Sequence, residues 1–382
     1  MKPFAPILLA FALFAGPVHA RIPEPPQDIS DIPVRLLVDI GSGQVLHAHQ
    51  ARKQFLPASL TKVMTAYVAF QEMDEGRLEP DRIFTVRPES AQLWKGRGTS
   101  MYLDAGERVS THDLLRGIMT ASANDAAVVL AEGYAGSVSA WTFLMNDAAR
   151  RLHMSDSHFA TPNGWPDHGQ TRLSARDLVR LAGAMIVNYP EYYHSFSGKK
   201  RMVWKDVALF SHDPITGSVP GADGIKTGFT REAGYNFLGS AQRGGRRLVM
   251  VLGGARSEDR RANASRAFLE WGFAQWSARP LFDSGTVIGK ARVQGGQSRS
   301  IGLVAANRVY AAIPADGSES VSLRFSYMGP LKAPVRKGER VGDLEIRVGQ
   351  GSPGRIPLYA AQEVKSASVM DRLINGFMSL FS

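Results

Sequence analysis

Ser59 and Lys62 stand three residues apart in the apolar stretch FLPASLTKVMTAYVAF, residues 55–70. A serine becomes a strong nucleophile only when a base takes its proton, and a lysine can do so if burial lowers its pKa. Helical spacing puts the two side chains on nearly one side, and the apolar residues Leu56, Leu60, Val63, Met64, Tyr67 and Val68 disfavour an ammonium. The same pattern also suits a lysine whose stem lies on apolar surface while its head reaches water. Ser-x-x-Lys recurs at Ser197 and Lys200 in the polar context HSFSGKKR, so the pair alone does not specify chemistry.

Two further groups add to it. TASANDAAVV places Ser122-Ala123-Asn124 at a break between helical runs, where a hydroxyl can relay protons and a carboxamide can hold a substrate amide. DGIKTGFT places Lys226-Thr227-Gly228 on a strand. There a cation and a hydroxyl can grip a carboxylate, while glycine lets a substrate backbone lie against the strand edge. The value of the set lies in its order: helix start, inter-helix turn, edge strand. Ser197 fails that test because it follows Ser122. Other nucleophile systems have no support: the chain holds no Gly-x-Ser-x-Gly, no His-Glu-x-x-His, and no histidine after His212. The nine histidines form no metal-ligand spacing, and one near a helix start, His112, reads as a surface or capping residue. No metal or cofactor is expected. With no cysteine, disulfides and thiolate chemistry are excluded.

The elements that must position these groups follow from periodicity. Lys2, the apolar run ILLAFALFA and the small residues of VHA predict an export signal, residues 1–20, cleaved after Ala20. A proline-rich lead-in precedes a hairpin around Gly41-Ser42-Gly43. From 57 to about 188 the pattern is mostly helical, with capping-box spacing at Ser110 and Asp113 and a turn-rich loop over 153–172. Three strands after Gly221 and a final helix complete the unit at about 279. Strands first and last with helices between predict an α+β domain, an antiparallel sheet packed by helices, over 21–279. Short alternating runs predict an all-β sandwich over 280–363. Over 364–382, Val369, Met370, Leu373, Ile374, Phe377, Met378 and Phe381 share one helical face, the make-up of an interfacial membrane anchor. The alternative is a helix docked on its own β domain or on a partner. The formal charge of +10 suits an anionic membrane surface or envelope polymer, and without basic runs interleaved with aromatics nucleic acid is not expected.

In motif and order the chain resembles the low-molecular-mass penicillin-binding proteins, the serine D-alanyl-D-alanine carboxypeptidases of peptidase family S11. PASLTKVMTAYV, GIMTASANDAAVVLAE, DGIKTGFTREAGYNFLGSA, WGF before the β domain and the terminal helix all carry the resemblance, which covers essentially the whole mature chain. It implies a penicillin-binding/β-lactamase-like transpeptidase domain and removal of the terminal D-alanine from peptidoglycan stem pentapeptides, with β-lactams as covalent inhibitors. Ser59 would attack the carbonyl between the two D-alanines, with Lys62 as base. Ser122 with Lys226 would pass a proton to the leaving group, and Asn124 would hold the peptide amide. Main-chain N–H groups of Ser59 and Phe229 would form the oxyanion hole. Thr227 and Arg260 would hold the terminal carboxylate, with Arg256 and Arg261 close by in sequence. Phe229 is histidine in some relatives, and Ala123 stands where glycine is frequent. The resemblance places the protein at the periplasmic face of the inner membrane. Three other readings remain: a β-lactamase, for which no Glu-x-x-Leu-Asn is present; an endopeptidase or transpeptidase using the same acyl-enzyme; and a non-catalytic peptidoglycan-binding protein.

Overall fold

A computed structural model describes residues 22–317 and 319–368; the expected export signal and the tail from 369 onward lie outside the described residues. Alternation of apolar side chains organises the first domain. β1 (Val34–Asp39) and β2 (Gln44–His49) form the expected hairpin, whose turn is held by Asp39 Oδ1 accepting from the N–H groups of Gly41 and Ser42, each at 3.1 Å. A helical block follows: α1 (Lys62–Asp74), α2 (Pro88–Trp94), α3 (Thr111–Arg116), α4 (Asn124–Ala135), α5 (Val138–Arg151), α6 (Ala175–Asn188) and α7 (Pro190–Phe196). Two short antiparallel strand pairs not singled out from the sequence lie within and after it, β3 (Ile83–Thr85) with β4 (Arg108–Ser110) across α2, and the hairpin of β5 (Arg201–Trp204) with β6 (Val207–Phe210). Then come β7 (Ala222–Thr230), β8 (Gly234–Arg243), β9 (Arg246–Ala255) and α8 (Glu258–Ala274).

The five long strands make one antiparallel sheet in the order β2-β1-β9-β8-β7, so β7 is an edge. Side chains on β9 divide with the period of two: Val249 and Val251 join the core under the helical block, while Leu248, Met250 and Leu252 join a second core under α8. Between the sheet and the other helices, α1 is buried on every side from Lys62 to Phe70. The stripe expected on one face is therefore a fully internal helix, as its nearly uninterrupted apolar composition requires.

The second domain pairs β10 (Trp276–Phe282) with β13 (Val309–Pro314). Its larger sheet runs β14 (Val321–Tyr327), β16 (Arg340–Val348), β17 (Gly354–Ala360), β12 (Ser300–Val304), β11 (Val287–Gln294), β15 (Leu331–Lys332). Both expected limits shift. The domain starts at Trp276, because β10 is already paired there, and it reaches at least Ser366. Val364 bridges Val335 and is buried in the β core, and Ser366 bridges Gly296. A buried polar joint fixes the two domains together. Asp39 accepts from Tyr310 Oη at 2.6 Å and from Arg246 Nε at 3.1 Å, while Gln44 exchanges two hydrogen bonds with the main chain of Ala312.

Candidate active site

Ala58–Thr61 form a 3₁₀ turn that leads into α1. In such a turn the side chains at i and i+3 eclipse, which sets Lys62 over Ser59 more directly than α-helical spacing would. Lys62 Nζ lies 3.0 Å from Ser59 Oγ, 2.7 Å from Asn124 Oδ1 and 2.7 Å from the carbonyl oxygen of Asn163. The ammonium is wholly buried, and with Lys226 nearby its pKa is held well below that of an ordinary lysine. A neutral amine has two N–H bonds and one lone pair. As an ammonium Lys62 donates to all three oxygens; once deprotonated, with its two N–H bonds on the carbonyl oxygens, its lone pair would face the Ser59 hydroxyl. Ser59 itself is half-buried at the wall of a cleft of about 310 Å³.

Ser122 closes the π-helical turn Gly117–Ala121 in the left-handed conformation, φ 61°, and Asn124 begins α4. The break expected from the sequence is thus a change of helix type. Both ends of the Asn124 carboxamide are engaged: Oδ1 holds Lys62, and Nδ2 donates to the Arg97 carbonyl at 3.0 Å. Asn124 therefore ties Lys62 to the Arg97 loop. Its neighbour Asp125 clamps the facing loop by accepting from Ser100 Oγ at 2.6 Å and from the N–H groups of Met101 and Leu103.

On β7, Lys226 is buried, and burial together with the charge of Arg261 brings its pKa down to about 7. Thr227, Gly228 and Phe229 line the cleft beside Ser59, Ser122 and Asn124. Gly228 has a more local reason than substrate approach. A Cβ there would lie 2.5 Å from the Pro57 carbonyl oxygen and 3.2 Å from the main-chain nitrogen of Ser59, so the strand packs directly on the nucleophile turn. Phe229 is 49% exposed and stacks on Tyr235 with ring centroids 4.2 Å apart.

Arg260 is not in the cleft. Its guanidinium binds the Asp31 carboxylate and, at 2.9 Å, the Asp28 carbonyl oxygen on the outer side of α8. Arg261, one residue and about 100° further round the helix, lines the cleft instead. Its Nη2 donates to Glu258 at 2.8 Å, its Nε is buried without a partner among the described residues, and burial lowers its pKa. The second Ser-x-x-Lys pair, Ser197 and Lys200, follows α7 and does not line the cleft.

Other lining residues escaped the sequence reading: Gly98, Thr99, Trp165, His212, Tyr235 and Glu258. Asn163 was also missed, because it acts through a main-chain carbonyl that no residue type announces. Among the described residues no cluster of three or more histidine, aspartate or glutamate side chains could hold a metal ion, and no helix is long and apolar enough to cross a membrane.

Known proteins match this arrangement along the chain. Residues 23–257 match the D-alanyl-D-alanine carboxypeptidase family, peptidase S11, and residues 276–366 match the C-terminal domain of penicillin-binding protein 5. The chain is 33% identical over 378 residues to the D-alanyl-D-alanine carboxypeptidase DacD of Escherichia coli (strain K12), covering 97% of this chain and 96% of the relative. Penicillin-binding protein 5 from Haemophilus influenzae has 30% identity and a TM-score of 0.74, covering 90% of this chain and 99% of that one. Penicillin-binding protein D2 from Listeria monocytogenes, solved in its ampicillin-bound form, has 29% identity and a TM-score of 0.56 over 63% of this chain and 97% of that chain. With the Ser59–Lys62 pair beside an edge strand, these matches establish that the chain belongs to the D-alanyl-D-alanine carboxypeptidase family, peptidase S11.

Proposed function

We propose that this protein removes the terminal D-alanine from peptidoglycan stem pentapeptides through an acyl-enzyme on Ser59. The observation that carries the reading is the fully buried Lys62, its pKa held well below that of an ordinary lysine, with Nζ 3.0 Å from Ser59 Oγ and steadied by two carbonyl oxygens. Lys62 takes the Ser59 proton as Oγ attacks the carbonyl between the two D-alanines. The oxyanion is met by the N–H groups of Ser59 and Phe229, donors already fixed by the contact of Gly228 with the nucleophile turn. Ser122 and Lys226 return a proton to the leaving amine, and Thr227 with Arg261 holds the departing carboxylate. Water then releases the acyl group.

Penicillin, as an acylating inhibitor, would meet the same serine. Glu258 is the one carboxylate among the described cleft residues, and it is bound to Arg261. Nothing near Ser59 resembles the water-activating glutamate of class A β-lactamases, which favours a long-lived penicilloyl-enzyme over resistance. Replacement Ser59→Ala is expected to abolish both labelling by fluorescent penicillin and D-alanine release from a pentapeptide; labelling that persists in this variant would overturn the assignment.

We further infer export to the periplasmic side of the inner membrane, held there by the apolar face of residues 369–382. Truncation should begin after Ser368, since Ala367 is still hydrogen-bonded to Gly295. The truncated protein is expected in the soluble fraction, and its retention on membranes would refute the anchor.

A further inference from the structure

The far end of the β domain carries a basic rim. β17 starts against the first domain, where Gly354 packs on the Ser42 carbonyl oxygen, and the chain then runs away from that joint. Beyond β17 it stays tied to the domain. Val364 bridges Val335, the Gln297 N–H donates to the Lys365 carbonyl at 3.0 Å, and the Ala367 N–H donates to the Gly295 carbonyl at 2.8 Å. Ser368, the last described residue, therefore stands beside the turn between β11 and β12.

Cations gather around this point. Lys332 on β15 is paired with Gln294, next to the Gly295 that holds Ala367. The Arg299 carbonyl closes the same turn by accepting from the Val293 N–H at 2.8 Å. Lys365 lies in the tied segment, Arg292 on β11, and Arg336 and Lys337 directly after Val335. All six side chains are exposed, and among the described residues none has a hydrogen-bond or ion-pair partner. The same segments contain only two carboxylates, Glu339 and Glu363, and Glu339 already accepts from the Arg336 N–H at 3.0 Å.

Residues 369–382 have the opposite make-up: apolar, with Arg372 and Asp371 as their sole charges. An amphipathic segment binds lipid through apolar area together with attraction to anionic headgroups, and this one has no net charge to attract them. The folded domain supplies that charge at the place where the segment begins.

We propose that this rim of the β domain is a docking surface for anionic phospholipid headgroups. The inference rests on the membrane-anchor reading and gives it a lipid selectivity that residues 369–382 lack. Phosphate oxygens accept from lysine and arginine donors, and each cation near an anionic surface adds a few-fold to affinity. Without the apolar segment the rim holds only weakly at physiological ionic strength, where salt screens exposed charges, so the truncated protein still belongs in the soluble fraction.

The test is co-sedimentation of the expected mature chain, residues 21–382, with vesicles of phosphatidylcholine alone or with about a third phosphatidylglycerol. The wild-type protein is expected to bind the anionic vesicles roughly tenfold more tightly in low salt, an advantage that shrinks as salt is added. The triple variant Arg299→Gln, Lys332→Gln, Lys365→Gln should lose most of that preference while neutral-vesicle binding and penicillin labelling stay unchanged. Removing the same charge from exposed positions of the first domain, by Lys53→Gln, Arg108→Gln and Lys199→Gln, should preserve it. Equal wild-type binding to both vesicles would overturn the rim while the anchor stands. A preference that survives in the rim variant, or that falls equally in the first-domain variant, would overturn it as well. Rim-dependent self-association in place of vesicle preference would assign the surface to a second copy of the chain and overturn the lipid reading. Binding to anionic vesicles alone, abolished in the rim variant, would support the rim and overturn the apolar anchor, and no binding to either vesicle would overturn both.

Discussion

Gly228→Ala is a single added methyl group aimed at the joint between the edge strand and the nucleophile. The φ of Gly228 is outside the left-handed region, so alanine is acceptable to the backbone and the effect is purely one of space. The new Cβ would lie 2.5 Å from the Pro57 carbonyl oxygen and 3.2 Å from the main-chain nitrogens of Ser59 and Leu60. Carbon–oxygen contacts of about 3.3 Å are the close end of normal, so the strand and the turn must part by roughly 0.8 Å. That movement separates the two expected oxyanion donors, one on each side of the contact. Misplacement of about 1 Å in a reacting geometry can cost on the order of 100-fold. Overpacking of a tight interior adds about 1–3 kcal/mol of destabilisation. We therefore expect the second-order rate of fluorescent-penicillin labelling to fall by roughly 30- to 100-fold, with a melting temperature lowered by a few degrees. Labelling within threefold of wild type would refute the reasoning, because the contact would then not be what positions the serine. A lower melting temperature with unchanged labelling would refute it equally.

Two further perturbations separate neighbouring residues and test the buried cation. Arg261→Gln removes a charged donor from the cleft and should raise KM for peptides with a free C-terminal carboxylate by roughly ten- to a hundredfold. Arg260→Gln, which lies on the Asp31 side of α8, should leave peptide kinetics within twofold; steady-state assays of both variants that gave the reverse order would exclude Arg261 as the carboxylate ligand. Burial takes the Lys226 pKa from 10.5 down to about 7. Between those values the unfolded chain keeps a proton that the folded chain has shed, so folding stability rises with pH across that window and is lost as pH falls towards 7. Lys226→Met should flatten that rise, by up to about 1.4 kcal/mol per pH unit, in denaturant titrations between pH 7 and 10. Parallel slopes for the two proteins would show that Lys226 is not held neutral.

The chemistry was legible where it resides in side-chain types at local spacing. Ser59, Ser122, Asn124 and Thr227 to Phe229 line one cleft, Lys62 lies buried against Ser59 and Lys226 is buried beside Thr227, and the order of the three groups along the chain distinguished them from Ser197 and Lys200. The β7–β9 strands and α8 were equally clear, because alternation and helical periodicity are properties of short windows. Arg260 against Arg261 was not, since adjacent residues on a helix point about 100° apart and only the docking of α8 decides which one faces the cleft. The domain limits moved for a similar reason: Trp276 and Val364 belong to the β domain through partners far away in sequence, Pro314 and Val335.

From the sequence alone came the proposed nucleophile and base, the order of the motifs and the two-domain plan. Tertiary structure decided the surroundings of Lys62. Complete burial, with Lys226 nearby, holds the Lys62 pKa well below that of an ordinary lysine, and its Nζ is held by Asn124 Oδ1 and the Asn163 carbonyl, one of which lies 101 residues away. Desolvation and hydrogen-bond direction depend on what surrounds an atom in space, and no local pattern of residues encodes that.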